Sequence, residues 1–272
     1  MTVTSHVALY RFTFPTTLAP NTTISPLISL ELRDLPDTGN SGSLRVDSSS
    51  GRITGEGVFA PSFGVGSYKS FFCADFNGAK VRDAGIWRNG VPGPGQNLTI
   101  DSRGTGGAWV RFQNPSLDNQ VQVRVGMSFI SSVQACSNAE KEIPDYNFNS
   151  VVKAAEYAWN EKLNVITIDD GGVSEVLLKA FWSGVYRTMI SPQDYTGENP
   201  FWNSSEPYYD SYYCIWDSFR SIHPLLTLLD PISQTLMVRS LLDIYRHEGK
   251  LPDCRMSFCK GEATSCSLTT QH

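Results

Sequence analysis

The chain has 272 residues, of which 40% are hydrophobic and 18% charged, as in a globular protein of one large domain or two ordinary ones. Its net charge of −5 provides no basic surface, so we expect no nucleic-acid partner. No apolar run is long enough to span a bilayer, so we expect no membrane partner.

Cysteine and asparagine patterns bear on the compartment. The six cysteines include no C-x-x-C pair, which argues against a structural zinc site and leaves the disulfide pairing open. Asn21, Asn97 and Asn203 each begin an N-x-[ST] sequon, so they are predicted glycosylation sites of a secreted protein. The first residues lack the charged and apolar regions of a signal peptide. Either the protein is cytosolic or its true start is missing; we expect an extracellular parent protein.

Residues 1–135 predict an antiparallel β-sandwich domain. In residues 6–14 the side chains alternate with period two, and Tyr10, Phe12 and Phe14 share one face, as in a half-buried strand. Further short runs of this kind follow, separated by turns rich in glycine and proline. Many short strands without intervening helices are typical of a sandwich.

Residues 136–260 predict a second, helical domain. Apolar side chains recur at helical spacing in residues 148–163 and 173–189. A third helix is bounded by Asp230, which suits an amino-terminal cap, and by Gly249, which suits a stop. Residues 261–272 lose all periodicity, and we interpret them as an aberrant tail.

A cluster of aromatic and acidic residues marks a candidate site. Four tyrosines, one tryptophan and two aspartates occur in residues 208–217, where a long irregular segment at residues 191–210 leads into them. Aromatic faces beside carboxylates suit a sugar, with Trp216 as the stacking face and Asp217 as the hydroxyl acceptor. Alternatively, Asp217 caps a helix that starts at Ser218 and pairs with Arg220. The pattern alone leaves both interpretations open.

Candidates for acid–base chemistry lie around the same cluster. Glycoside hydrolysis with inversion uses two carboxyl groups roughly 6.5–9.5 Å apart. The carboxylates in or near the cluster are Asp194, Glu198, Glu206, Asp210 and Asp217. The sequence selects no pair among them, and capping or solvation is the alternative for each. His223 could donate a proton or could be a satisfied core residue, and no G-x-S-x-G elbow indicates a nucleophilic serine.

Two stretches carry a resemblance to a known family. Ser-Pro-Gln-Asp-Tyr-Thr-Gly-Glu-Asn-Pro at 191–200 and Tyr-Cys-Ile-Trp-Asp-Ser-Phe-Arg-Ser-Ile-His-Pro-Leu at 213–225 resemble glycoside hydrolase family 92, above all its secreted fungal members. This is a family of calcium-dependent, inverting exo-α-mannosidases. The resemblance extends from His6 to Gly261, and it implies an amino-terminal β-sandwich followed by the first helices of an incomplete (α/α)6 barrel.

The resemblance also implies which site residues this chain contains. Trp216 and Asp217 match the family's Trp-Asp, whose aspartate contacts the terminal mannose, and with Arg220 they are the predicted substrate-binding residues. The family's general acid, its water-positioning aspartates and its calcium ligands match no residue here. We therefore predict no catalytic residue and no metal ligand, with calcium serving only the parent enzyme. The start is late, and the sequence departs from the family pattern from Gly261 onward.

The function expected of the parent protein is hydrolysis, with inversion, of terminal α-mannosyl linkages in N-glycans or mannan, with α-1,2 linkages favoured. Its partner is then a mannose-terminated glycan, and this chain alone is expected to be inactive. One alternative is a non-catalytic carbohydrate-binding fragment. Another is an N-glycan-releasing amidase that uses Cys214 and His223. Uncovered apolar side chains on the helices, such as Trp159, Phe181 and Leu241, predict aggregation.

Overall fold

A computed structural model describes residues 1–15, 25–33, 39–61, 66–101, 104–113, 119–169 and 171–258. The predicted tail at 261–272 and the sequon at Asn21 lie outside the described residues. Contacts between Cα atoms divide the chain into two compact units. We call residues 1–60 with 69–155 the sandwich unit, and residues 61–68 with 156–272 the helical unit.

The sandwich unit contains two antiparallel sheets, as predicted. The strands of the larger sheet are β1 (Thr2–Val3), β2 (Val7–Thr13), β4 (Gly39–Val46), β5 (Ile53–Phe59), β6 (Tyr68–Asn77), β9 (Asn97–Ile100) and β11 (Gln120–Ser128). Those of the smaller sheet are β3 (Leu27–Glu31), β7 (Val81–Arg88), β8 (Val91–Gly93) and β10 (Gly106–Phe112). The strand orders are β1-β2-β11-β6-β5-β4-β9 and β3-β10-β7-β8.

Alternation along the strands builds the core between the sheets. On β10, Ala108, Val110 and Phe112 are buried in the main apolar cluster. Strand β2 is covered on both faces, because Tyr10 packs against that cluster while Leu9 belongs to a second one. The strand predicted for residues 6–14 therefore has two packed faces over Val7–Tyr10. Residues 11–13 are exposed, and Phe12 does not share the packed face with Tyr10 as the alternation predicted.

The second cluster is closed by a helix that the sequence patterns did not indicate, α1 (Ser132–Glu142). The Ser131 side chain caps it by accepting a hydrogen bond from the backbone N–H of Gln134 at 3.0 Å. The helix lies close to β11 because Gly126 has no side chain; a Cβ there would overlap the carbonyl oxygen of Ala135. The Cys73–Cys136 disulfide joins the helix to β6.

The helical unit is built from short and medium helices. Its helices, the first of which begins in the sandwich unit, are α2 (Phe148–Leu163), α3 (Glu175–Thr188), α4 (Ile215–Ser218), α5 (Ile222–Leu229) and α6 (Pro231–Glu248). The unit also contains two antiparallel pairs of short strands. Strand β12 (Gln193–Asp194) pairs with β13 (Tyr209–Asp210), and β14 (Tyr213–Cys214) pairs with β15 (Cys254–Arg255). All three predicted helices are present.

The ends of α6 follow the predicted signals. Asp230 accepts a hydrogen bond from the backbone N–H of Ser233 at 3.1 Å, and Gly249 ends the helix at φ 78°. The boundary between the two compact units lies between residues 155 and 156, within α2. It lies after α1 because α1 packs on the sandwich. The predicted domain boundary at residue 135 stays a prediction.

Apolar side chains remain exposed on several helices. Phe181 is 43% exposed and Tyr245 on α6 is 52% exposed, whereas Met237 and Ile244 on the same helix as Tyr245 are buried. No helix in the described part of the chain is both long and apolar enough to cross a membrane. Aggregation through these exposed faces stays a prediction.

Candidate functional site

A fully buried arginine organises the segment around the predicted site. Nε of Arg255 donates to Oδ2 of Asp210 at 2.8 Å, and Nη1 donates to both carboxylate oxygens of Glu248 at 3.0 and 3.1 Å. Its Nη2 lies 3.0 Å from the hydroxyl of Tyr208. Burial alone would lower the pKa of Arg255, but these neighbours raise it overall, so the guanidinium stays charged. The cluster is a closed, charge-assisted network.

The other oxygen of Asp210 holds two backbone segments. Its Oδ1 accepts hydrogen bonds from the backbone N–H of Ser211 at 2.6 Å and from that of Phe258 at 3.0 Å. Ser211, Tyr213, Ser257 and Phe258 have φ values of 61°, 62°, 48° and 64°, which non-glycine residues seldom adopt. The buried carboxylate therefore fixes strained backbone on both segments.

These segments position helix α4. Tyr213 and Cys214 on β14 pair with Arg255 and Cys254 on β15, and a disulfide joins the two cysteines. The backbone N–H of Ile215 then donates to the carbonyl of Asp253 at 2.7 Å. Because α4 begins at that residue, the start of the helix is tied to the buried arginine network.

The residues on and beside α4 form an exposed aromatic and acidic surface. We call it the α4 surface, and its exposed members are Tyr213, Trp216, Asp217, Phe219 and Arg220. Trp216 is 50% exposed. The guanidinium of Arg220 lies 5.9 Å from the ring centre of Phe219. The three predicted substrate-binding residues thus occur on one short, fixed stretch of backbone.

The capping interpretation of Asp217 is wrong. Asp217 lies inside α4, whose amino-terminal cap is Cys214. In the described part of the chain, its carboxylate has no hydrogen-bond partner and no ion pair with Arg220. The Asp217 carboxylate is therefore exposed to solvent and available to a ligand.

The other four acid–base candidates are either bonded to neighbouring residues or buried. Asp194 accepts two hydrogen bonds within its own turn, at 2.9 and 2.6 Å, and Glu206 pairs with an arginine of α6 at 2.8 Å. Glu198 is 4% exposed, and Asp210 is fully buried. Of the five candidates, Asp217 alone combines exposure with a carboxylate that is unpaired in the described residues.

Both ring nitrogens of His223 have hydrogen-bond partners. Nε2 lies 3.0 Å from Oγ of Ser218, and Nδ1 lies 3.1 Å from Oε1 of Gln234. These contacts favour the structural interpretation of this histidine. Pro224 lies in the first turn of α5, where a helix tolerates proline. The amidase alternative lacks its nucleophile, because Cys214 is disulfide-bonded.

Sequence patterns missed the buried part of this region. Arg255 is 45 residues from Asp210 in the chain, and no local pattern relates them. A second missed contact joins Nε1 of Trp202 to Oδ2 of Asp243 at 2.9 Å, with the indole stacked on His247 at 4.8 Å. Trp202 lies in the irregular segment at 191–210, and the length of that segment was the one signal in the sequence that pointed to this contact.

The residues described do not fit a calcium site. Calcium takes six to eight oxygen ligands, and within the described ranges no group of three or more His, Cys, Asp or Glu side chains could hold a metal ion. The carboxylates of Asp210 and Glu248 are already balanced by Arg255. Calcium therefore stays a prediction that rests on the family resemblance. Asn97 and Asn203 are exposed, and their glycosylation also stays a prediction.

Two family models match the chain. The N-terminal domain of glycosyl hydrolase family 92 matches residues 1–128, and the catalytic domain of that family matches residues 134–270. The chain is 43% identical over 276 residues to an uncharacterized secreted glycosidase of Arthroderma benhamiae. That match covers 98% of this chain and 32% of the relative, so the chain spans about a third of the relative's length.

Solved structures show the same fold. An inverting family 92 mannosidase of Bacteroides thetaiotaomicron matches with a TM-score of 0.74 at 21% identity, over 93% of this chain and 33% of that one. A family 92 alpha-mannosidase of the same organism, solved in complex with mannoimidazole, matches with a TM-score of 0.76 at 18% identity, over 96% and 34%. The shared fold is an antiparallel sandwich followed by helices.

Proposed function

The chain belongs to glycosyl hydrolase family 92, and on that premise we propose that its α4 surface binds the terminal mannose of a glycan. The observation that carries the proposal is the state of Asp217, an exposed carboxylate that is unpaired in the described residues and next in sequence to the half-exposed Trp216. Structural neighbours described as mannosidases, one of them in complex with mannoimidazole, support mannose as the sugar.

The chemistry of the α4 surface suits a pyranose. A carboxylate can accept hydrogen bonds from two adjacent hydroxyls, and a hydrogen bond to a charged group contributes about 1.5–3 kcal/mol. The indole of Trp216 presents a face with negative electrostatic potential to the C–H side of the sugar. Because the Asp217 carboxylate has no described protein partner, binding a sugar breaks no internal hydrogen bond.

Hydrolysis by the parent enzyme proceeds, on this proposal, with inversion at terminal α-mannosyl linkages of N-glycans or mannan, and α-1,2 linkages are favoured. Four of the five acid–base candidates are buried or engaged elsewhere. This chain alone therefore binds mannose without cleaving the linkage. The relative described as secreted supports an extracellular parent protein.

Binding and turnover can be measured separately with α-1,2-mannobiose as the probe. We expect saturable binding by calorimetry and no mannose release, with or without calcium. Asp217→Asn and Trp216→Ala should each weaken binding about tenfold or more, which corresponds to roughly 1.4 kcal/mol. Glu175→Gln, which removes one exposed carboxylate charge on α3, is the matched control and should bind as the wild type does.

Two results would contradict these proposals. Unchanged affinity in Asp217→Asn would show that the α4 surface does not bind the sugar. Calcium-dependent mannose release by the chain would show that it contains its own acid and base. A chain that binds but does not cleave agrees equally with a non-catalytic carbohydrate-binding role, and activity of the parent protein would decide between the two.

A further inference from the structure

The outer face of the smaller sheet carries two tryptophans. On β10, Ala108 and Val110 are buried in the core, so Trp109 between them faces the other way. On β7, Ala84 is buried in the core, and three residues along the strand Trp87 lies on the opposite face. Both indoles are partly exposed. The face that the sandwich turns away from its core is therefore aromatic.

Each indole extends over a glycine of the neighbouring strand. In the ladder between β7 and β10, Trp109 lies opposite Gly85 and Trp87 opposite Gly107. A Cβ at Gly85 would lie 2.7 Å from Cζ2 of Trp109, and one at Gly107 would lie 2.7 Å from Nε1 of Trp87. Both rings thus cover glycine backbone, where a side chain would displace them.

Hydrogen bonds fix the orientation of both rings. Nε1 of Trp87 donates to Oγ of Ser29 at 3.0 Å, and Nε1 of Trp109 donates to the carbonyl of Ile86 at 3.1 Å. The polar edge of each indole is therefore occupied, and the π-face is left for a ligand. Such an orientation costs little entropy on binding because it exists beforehand.

A concave space of about 620 Å³ lies against these rings. Its volume is within the range of small-ligand pockets. Pro92, Pro94 and Arg111 are among the other residues that line it. The Arg111 guanidinium lies 5.9 Å from the Trp109 ring centre and forms a two-point ion pair with Asp83. The space thus combines aromatic faces with a fixed group of donors and acceptors.

We propose that this space is a second saccharide-binding site, which takes a neutral oligosaccharide. We call it the tryptophan platform; Ser29, Trp87, Trp109 and Arg111 line it, and Asp83 is the ion-pair partner of Arg111. The weakly positive C–H faces of pyranose rings stack on the indole faces. The Arg111–Asp83 pair offers N–H donors and carboxylate acceptors to the hydroxyls.

Other ligand classes fit the platform less well. A proline-rich peptide docks in aromatic-lined grooves, but both indole N–H groups are already bonded, which leaves the Arg111 guanidinium as the donor for its carbonyls. Such a peptide has no prolyl N–H to donate to the Asp83 carboxylate, whereas sugar hydroxyls both donate and accept. An acyl chain has no hydrogen-bonding group that could bind the Arg111–Asp83 pair. The platform lies in the sandwich unit and shares no residue with the α4 surface.

The test uses the full chain with ¹⁵N-labelled indoles in a Trp216→Ala background, so that the α4 surface is disabled. The probe is a linear α-mannotetraose. We expect saturable shifts of the Nε1–H resonances of Trp87 and Trp109, which Trp→Phe variants assign. Trp87→Ala and Trp109→Ala should each weaken binding about tenfold, whereas Trp182→Phe on α3 should have no effect.

Several outcomes would overturn the platform. They are the absence of any shift at these two indoles, wild-type affinity in both alanine variants, and binding of a proline decamer in place of the oligosaccharide. Self-association that the alanine variants abolish, without saccharide binding, would also overturn it. The indole shifts are measured with both tryptophans present, so they do not require either alanine variant to fold. Mannobiose binding by Trp87→Ala with Trp216 intact separates this proposal from the α4 surface.

Discussion

Arg255 and Asp210 form an ion pair in which neither side chain has any exposed surface, with Nε of the arginine 2.8 Å from Oδ2 of the aspartate. The guanidinium also binds Glu248, which is almost as buried. Taking these charges out of water is costly, and the network repays that cost only when every member is present. The start of α4 depends on this network through β14 and β15.

We expect Arg255→Met to destabilise the helical unit by about 3–5 kcal/mol, because it leaves two buried carboxylates without their cation. The free energy of unfolding from urea titration is the measurement. Arg239→Met is the control, since its partner Glu206 and the arginine itself are partly exposed, and its cost should be about 0–1 kcal/mol. Equal losses in the two variants would contradict a structural role for the buried network.

The Cys214–Cys254 disulfide should support sugar binding by the α4 surface. Replacing both cysteines with serine is expected to lower stability by about 2–4 kcal/mol and to weaken α-1,2-mannobiose binding. The matched control replaces Cys73 and Cys136, whose bridge lies in the sandwich unit. The reference chain and both double variants carry serine in place of Cys259 and Cys266. If the control weakened binding as much as the α4 pair does, the local role of the bridge would be refuted.

Asp230 should make stability depend on pH in the acid range. Burial raises the pKa of this carboxyl, but hydrogen bonds from Lys162 and Ser233 outweigh it, so the folded pKa lies below the ordinary 3.8. The stabilisation is therefore complete above the unfolded pKa and is lost as the pH falls through the folded pKa. Asp230→Asn keeps a capping oxygen and loses the titration.

The unfolding free energy of wild type and Asp230→Asn, measured between pH 7 and pH 2, tests this sign. The difference should be largest at neutral pH and should shrink as the pH falls below about 3.8. Asp230→Ala should add the loss of the helix cap, about 1 kcal/mol, at every pH. A difference between wild type and Asp230→Asn that stayed constant over the whole range would exclude the ion pair as its cause.

Two glycines should respond to alanine with opposite signs. In Gly126→Ala, the new methyl would overlap the Ala135 carbonyl and approach the Cβ of Ala139 to 2.9 Å, which should cost about 1–3 kcal/mol. In Gly184→Ala, on α3, the methyl meets nothing within 4 Å, and the helix should gain about 0.4–1 kcal/mol. Thermal unfolding of both variants measures the two effects, and a destabilising Gly184→Ala would contradict the prediction.

Local patterns predicted the elements that local chemistry determines. Alternation predicted the sandwich, and Asp230 and Gly249 predicted the ends of α6. Helix α1 escaped notice because its buried side includes the small residues Ala135 and Ala139, which suit the glycine beneath them but give a weak apolar pattern. Small side chains mark a face that approaches closely, and the sequence does not show what it approaches.

The candidate site was predictable in part. Composition and the family resemblance located Trp216 and Asp217, yet the capping rule misplaced the start of α4. That start depends on the pairing of β14 with β15, whose residues are 40 positions apart at the disulfide. The unpaired state of Asp217 and the paired state of the other carboxylates follow from tertiary contacts, which spacing along the chain cannot reveal.

The two disulfides have a consequence for the synthesis of the chain. Each joins a cysteine to the next cysteine along the chain, Cys73 to Cys136 and Cys214 to Cys254. Because synthesis runs from the amino terminus, Cys73 and Cys136 emerge before Cys214 and Cys254, and these emerge before Cys259 and Cys266. Pairing in order of emergence yields both bridges without rearrangement, whereas refolding the complete reduced chain exposes all six thiols to one another at once.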